Sequence, residues 1–143
     1  MILASWKTIT YFKPSEFDDP DFPGTGIHAN ALLVMLLDKL RFTIGCPIHM
    51  NHKVGGCVDM LGTHGHSDDS FHLYENGCRA GDLWVETNMS LREQYNYVCR
   101  APFRGIGIYS WWNHPGFHVD AGPIQRTQHW YSPRKGVYDY LFK

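Results

Sequence analysis

Between His28 and Gly45 the chain reads HANALLVMLLDKLRFTIG, with apolar residues at Leu32, Leu33, Leu36, Leu37 and Leu40. Those positions form one stripe on a helix, so the segment is predicted helical with that stripe buried. Gly45 and Pro47 end it. Beyond it the period shortens. PIHMN, GDLWVE, GIGIYS and GFHVDAG are short strand candidates; in GDLWVE, Leu83 and Val85 share one side and Trp84 takes the other. Ser90, followed three positions on by Glu93, forms a capping box that opens a second helix over SLREQYNYVCR. DDPDFPGTG is a loop, VGGCVDMLGTHGHSDDS an irregular polar stretch, WWNHP a turn between two strands, and GVYDYLFK a last aromatic strand or loop. Few helices among several short strands predict an α+β fold, with the helices packed on an antiparallel sheet.

Length and composition narrow the picture. The 143 residues suit one domain, 1–143, with one core. A net charge of -1 leaves no basic surface for nucleic acid. No apolar run reaches the roughly 18 residues of a membrane span. The opening MILASWKTITYFKPSEF has no basic stretch ahead of an apolar one and is interrupted by Ser5, Lys7 and Thr8. Synthesis in a cytoplasm without a signal peptide is the expectation, for a protein read as a monomer. An aromatic share of 15% suggests a groove lined by rings as well as a core. Cys46, Cys57, Cys78 and Cys99 contain no C-x-x-C pair, which argues against a structural zinc ribbon and for free thiols; a disulfide would need an oxidising compartment.

Candidate chemistry lies in the histidines, nine in all and five of them between His49 and His72. Singly, a histidine is more often a surface or satisfied residue than a ligand, so setting and combination decide. His118 stands between Phe117 and Val119 in a predicted strand, so it points away from their face, together with Gly116 and Asp120. Asp82 opens the LWV strand among small residues, and His72 is framed by Phe71 and Leu73. Two imidazoles and a carboxylate are a zinc set, and three protein ligands with an open fourth position are its catalytic form. His52 and Asp59 make a rival pair, with tidier local spacing than His72 and Asp82, and spacing alone does not choose between them.

These residues resemble the zinc D-alanyl-D-alanine peptidases, whose relatives include bacterial carboxypeptidases, phage endolysins and the hedgehog signalling domain. Ser70-Phe71-His72 matches that family's Ser-x-His; Gly77, Ala80 and Asp82 approximate its Gly-x-Ala-x-Asp; Gly105 to Tyr109 followed by Phe117-His118-Val119-Asp120 matches its late histidine. YFKPSEF, LLDKLRFTIGCPI and the VGG at 54–56 resemble the phage-type branch, so the likeness extends over nearly the whole chain. It makes His72, Asp82 and His118 the zinc ligands and sets His52 and Asp59 aside. Three departures stand out. Nine residues separate His72 from Asp82, more than is usual, so a short insertion must loop out. The second motif is one residue longer. No arginine follows the PI strand to hold a substrate carboxylate, leaving Lys53 or Arg79 as substitutes.

The resemblance implies a zinc-dependent peptidase acting on peptidoglycan stem peptides, a carboxypeptidase or an endopeptidase at D-amino-acid bonds, phage-encoded for lysis or carried in the virion, and acting at the bacterial cell wall or periplasm. His114 and Asp120 are the candidates for the general base, with Asp120 equally suited to orient a ligand imidazole. Trp111 and Trp112 are candidate groove walls. The alternative is a non-catalytic zinc-binding structural or virion module of the same fold.

Overall fold

Asn30 starts the first helix by accepting the Leu33 N–H on its side chain, and Gly45, at φ 70°, ends it by donating to the Arg41 carbonyl. This helix, α1 (Ala31–Ile44), buries Leu33, Val34, Leu36, Leu37, Leu40 and Ile44. Leu32 is about half exposed, a correction to the predicted stripe. Each residue turns the helix by about 100°, which puts Leu32 beside the buried face rather than on it. The second helix, α2 (Leu91–Val98), is capped by Ser90 Oγ, which accepts the Glu93 N–H at 3.2 Å. The protein is described by a computed structural model covering residues 5–123 and 127–142. The first four residues of the opening segment and Lys143, at the end of the predicted last strand, lie outside the described residues.

Six strands form one sheet: β1 (Ile48–Met50), β2 (Ala80–Val85), β3 (Gly105–Tyr109), β4 (Gly116–Asp120), β5 (Gln128–Ser132) and β6 (Asp139–Phe142). Their order is β1-β2-β4-β3-β5-β6. Four of the pairings are antiparallel, but β3 and β5 run parallel, so the sheet is mixed and not antiparallel throughout as predicted. β4 runs back along β3 and ends beside Gly105. β5 enters at Gln128, also opposite Gly105, and so runs in the direction of β3. β5 has no counterpart among the predicted strands.

Alternation along the strands divides the sheet into two faces. Leu83, Val85, Ile106, Phe117 and Val119 are buried in one core with α1 and α2. Burial of one such side chain as large as Phe117 contributes about 1.5–3 kcal/mol. Asp82, His118 and Asp120 stand on the opposite face, as strand alternation predicts for the last two. That face has room because β3 is bare there. A Cβ at Gly105 would lie 2.1 Å from the Asp120 carboxylate, and one at Gly107 would lie 2.5 Å from the Trp130 indole.

Gly107→Ala should therefore displace Trp130 and destabilise the protein by about 1–3 kcal/mol, the usual cost of overpacking. Denaturant unfolding followed by tryptophan fluorescence measures it; a shifted native spectrum with unchanged stability would show that Trp130 moves aside without cost and would overturn the expected loss.

Candidate metal centre

Strand register brings the first two candidate ligands together. Asp82 on β2 is the direct cross-strand partner of His118 on β4, and Asp82 Oδ1 lies 3.0 Å from His118 Nδ1. His72 comes from outside the sheet. It is followed by a one-turn 3-10 segment, Tyr74–Asn76, and by two left-handed residues, Gly77 (φ 100°) and Cys78 (φ 50°). The Arg79 N–H then donates to the Phe71 carbonyl at 2.7 Å, so the residues that follow His72 close on themselves as a loop before β2 begins. His72 Nε2 ends 3.3 Å from Asp82 Oδ1. His72, Asp82 and His118 each present a ligand atom, all within 4.8 Å of one another.

Each imidazole is held by its other nitrogen. His72 Nδ1–H donates to the Cys57 carbonyl at 3.1 Å, which leaves Nε2 as the nitrogen facing Asp82. His118 Nε2 meets Asp120 Oδ2 at 3.0 Å, leaving Nδ1 toward Asp82. Asp120 is itself anchored by the Gly122 N–H on Oδ1. One nitrogen fixed by an acceptor and the other turned inward is how metal-bound histidines are oriented, so the donor set and its supporting bonds fit a zinc-type ion. Without an ion, charge is balanced by protons. Burial opposes ionisation of both partners, but His72 and His118 hold the Asp82 carboxyl well below the usual range. Burial likewise lowers His118, and its bonds to Asp120 and Asp82 outweigh this and raise it to about 9.

The three residues open onto a cavity of about 940 Å³. Its wall is aromatic: Tyr109, Trp111, Trp112, Trp130, Tyr138 and Tyr140. Trp112 stacks on Tyr109 with ring centroids 4.4 Å apart, so both candidate tryptophans do line the groove. His66 lies on the other side, stacked 4.2 Å from the His72 ring. His66 and Trp130 are lining residues that the sequence does not single out; the glycines of the GIGIY segment are named there only as part of a motif, and their role in leaving room shows only in the structure.

Other expected site residues lie elsewhere. His114 stacks 4.0 Å from Trp84 and lines a separate groove with Glu86, Met89 and Pro115, because the WWNHP turn carries it past the end of β2. Lys53 sits beside β1 in a third depression with His49 and His52. Arg79 packs against Gly77 in the closed loop, with its Nε buried away from the cavity. Asp59, of the rival pair, is fully buried and bonded to His66 rather than grouped with His52. It belongs to a second set of metal-capable residues, Asp19, Asp59 and His64. Among the described residues all four cysteines are free; Cys57 and Cys78 are buried and Cys99 is exposed. Among them, too, no helix is long and apolar enough to cross a membrane. Comparison of the chain with protein-family models, with curated proteins and with solved structures gives no match.

His72→Ala and His118→Ala should each remove the metal equivalent held by this centre, whereas His52→Ala should leave it in place; elemental analysis of purified variants decides, and the reverse result would shift the centre to the segment around His52. In metal-free protein, His118 is raised from 6.5 to about 9 by folding. Its stabilising contribution is then complete below about pH 6.5 and lost as pH rises through about 9. Thermal melts between pH 6 and pH 10, with and without zinc, should show this loss only in the metal-free protein, since a bound metal replaces the proton.

Proposed function

We propose that the protein is a zinc-dependent peptidoglycan peptidase of the D-alanyl-D-alanine peptidase kind, cutting peptide bonds that involve D-amino acids, and that it serves phage lysis or travels in the virion. The observation that carries this reading is the convergence of His72, Asp82 and His118 in one open, aromatic-walled cavity. These are the three residues that the Ser-x-His, Ala-x-Asp and His-x-Asp segments single out. Zinc held there would polarise a scissile carbonyl and lower the pKa of a bound water toward about 7.

The chain's own residues supply positioning. The Cys57 carbonyl and Asp120 fix the two ligand rings. Trp111, Trp112 and Tyr109 form a wall along which an extended peptide can lie and from which water is displaced. Asp120 is the acidic group nearest the ligands and works here as the orienting partner of His118 Nε2. Lys53 and Arg79 both lie outside the cavity, which favours cutting within a peptide over trimming a terminal carboxylate. The placement of His114 favours a second reading, a non-catalytic zinc-binding structural or virion module. It leaves Asp120, already tied to His118, as the remaining candidate proton carrier.

Zinc-loaded protein should release new amino termini from purified sacculi, identified by mass spectrometry. His118→Ala should abolish the release, and Asp120→Asn should slow it about 10–100-fold, the usual loss for a residue that orients a ligand. No cleavage at any bond by zinc-loaded wild type would move the assignment to the non-catalytic module.

A further inference from the structure

The segment Asp59 to His66 folds back over the loop around Asp19. We propose that Asp19, Asp59 and His64 form a second site for a divalent transition metal of the zinc class, distinct from the His72–Asp82–His118 centre. Each residue offers one ligand atom, and the three atoms lie within 4.8 Å of one another. The set is not a patch of acidic surface: the Asp19 and Asp59 side chains have no solvent exposure, and an imidazole completes it. Asp19 Oδ1 is 2.9 Å from His64 Nε2. The His64 ring is backed by Gly55, where a Cβ would lie 2.5 Å from it, so the ring is held facing the carboxylates.

Charge gives a second, independent argument. Asp21 Oδ2 also approaches His64 Nε2, at 3.6 Å, so three carboxylates converge on this corner. Among the described residues their ion-pair partners are histidines alone; no lysine or arginine pairs with Asp19, Asp21 or Asp59. Backbone N–H groups of Asp21, Met60, Gly62 and Thr63 soften the deficit but carry no net charge. Buried carboxylates are ordinarily balanced by a charged partner or a metal, and a dication here offsets both. One imidazole with two carboxylates suits zinc or manganese; calcium takes six to eight oxygens. The ion would tie the Asp19 loop to the segment whose last residue, His66, stacks on His72. It would act as a staple beside the first centre, whatever chemistry that centre performs.

The test is a metal count on the full chain. Protein stripped with chelator, reloaded with excess zinc and desalted should hold two zinc ions per chain by elemental analysis. His64→Ala and Asp19→Asn should each hold one, His118→Ala should hold one, and the His64→Ala/His118→Ala pair none. His64→Gln keeps a side chain that can bond Asp19, so it separates loss of metal from loss of fold, with far-ultraviolet circular dichroism as the check. Zinc should still raise the Tm of His118→Ala but not of the pair. Two ions in wild type with only the His64-dependent one lost on mutation would support this site while removing the first. One ion in both wild type and His64→Gln, with no zinc effect on the Tm of His118→Ala, would overturn the proposal and leave Asp19 and His64 as an ion pair.

Discussion

The pairing of Asp82 with His118 across β2 and β4 is the constraint on which the rest depends. Both side chains leave the sheet from one face at adjacent positions. A slip of one residue in the register would send His118 into the core and replace it by Phe117 or Val119. The register is held by the opposite face, where Leu83, Phe117 and Val119 have no solvent exposure and pack with α1. Core packing and site geometry are thus two sides of the same strand pairing. Damage to one should appear in the other.

Room is the second requirement, and β3 supplies it by omission. Gly105 and Gly107 leave space for a carboxylate and an indole that would otherwise collide with the strand. The carboxylate orients His118 and the indole closes one wall of the cavity. The parallel strand β5 starts beside Gly105, at the end of β3 where β4 leaves off, and it carries Trp130 to the site face.

Much of this was legible in the sequence. Helix α1 announced itself by a leucine stripe with a glycine and a proline after it, and β2, β3 and β4 by alternation; the Asn30 cap that starts α1 shows only in the structure. The outward turn of His118 followed from its apolar neighbours. What was not legible depends on contacts between distant segments. The site role given to His114 relied on its nearness to His118 in sequence, but a turn redirects side chains, and Trp84 captured the ring. Asp59 looked like a partner for His52 because the two are close along the chain; the fold pairs it with His66 and brings Asp19 from forty positions away. β5 escaped notice because QHWYS shows no clean alternation and gains its identity from lying beside β3.

The loop between His72 and Ala80 has a consequence of another kind. Its two ends are joined by the Arg79-to-Phe71 hydrogen bond, so whatever lies between them is bracketed from the candidate ligands His72 and Asp82. Residues can be added or removed inside that bracket while His72 and Asp82 keep their separation in space. The number of residues between His72 and Asp82 is then a property of the loop alone. A pattern that fixes that number measures the excursion of the chain and misses sites whose geometry is the same.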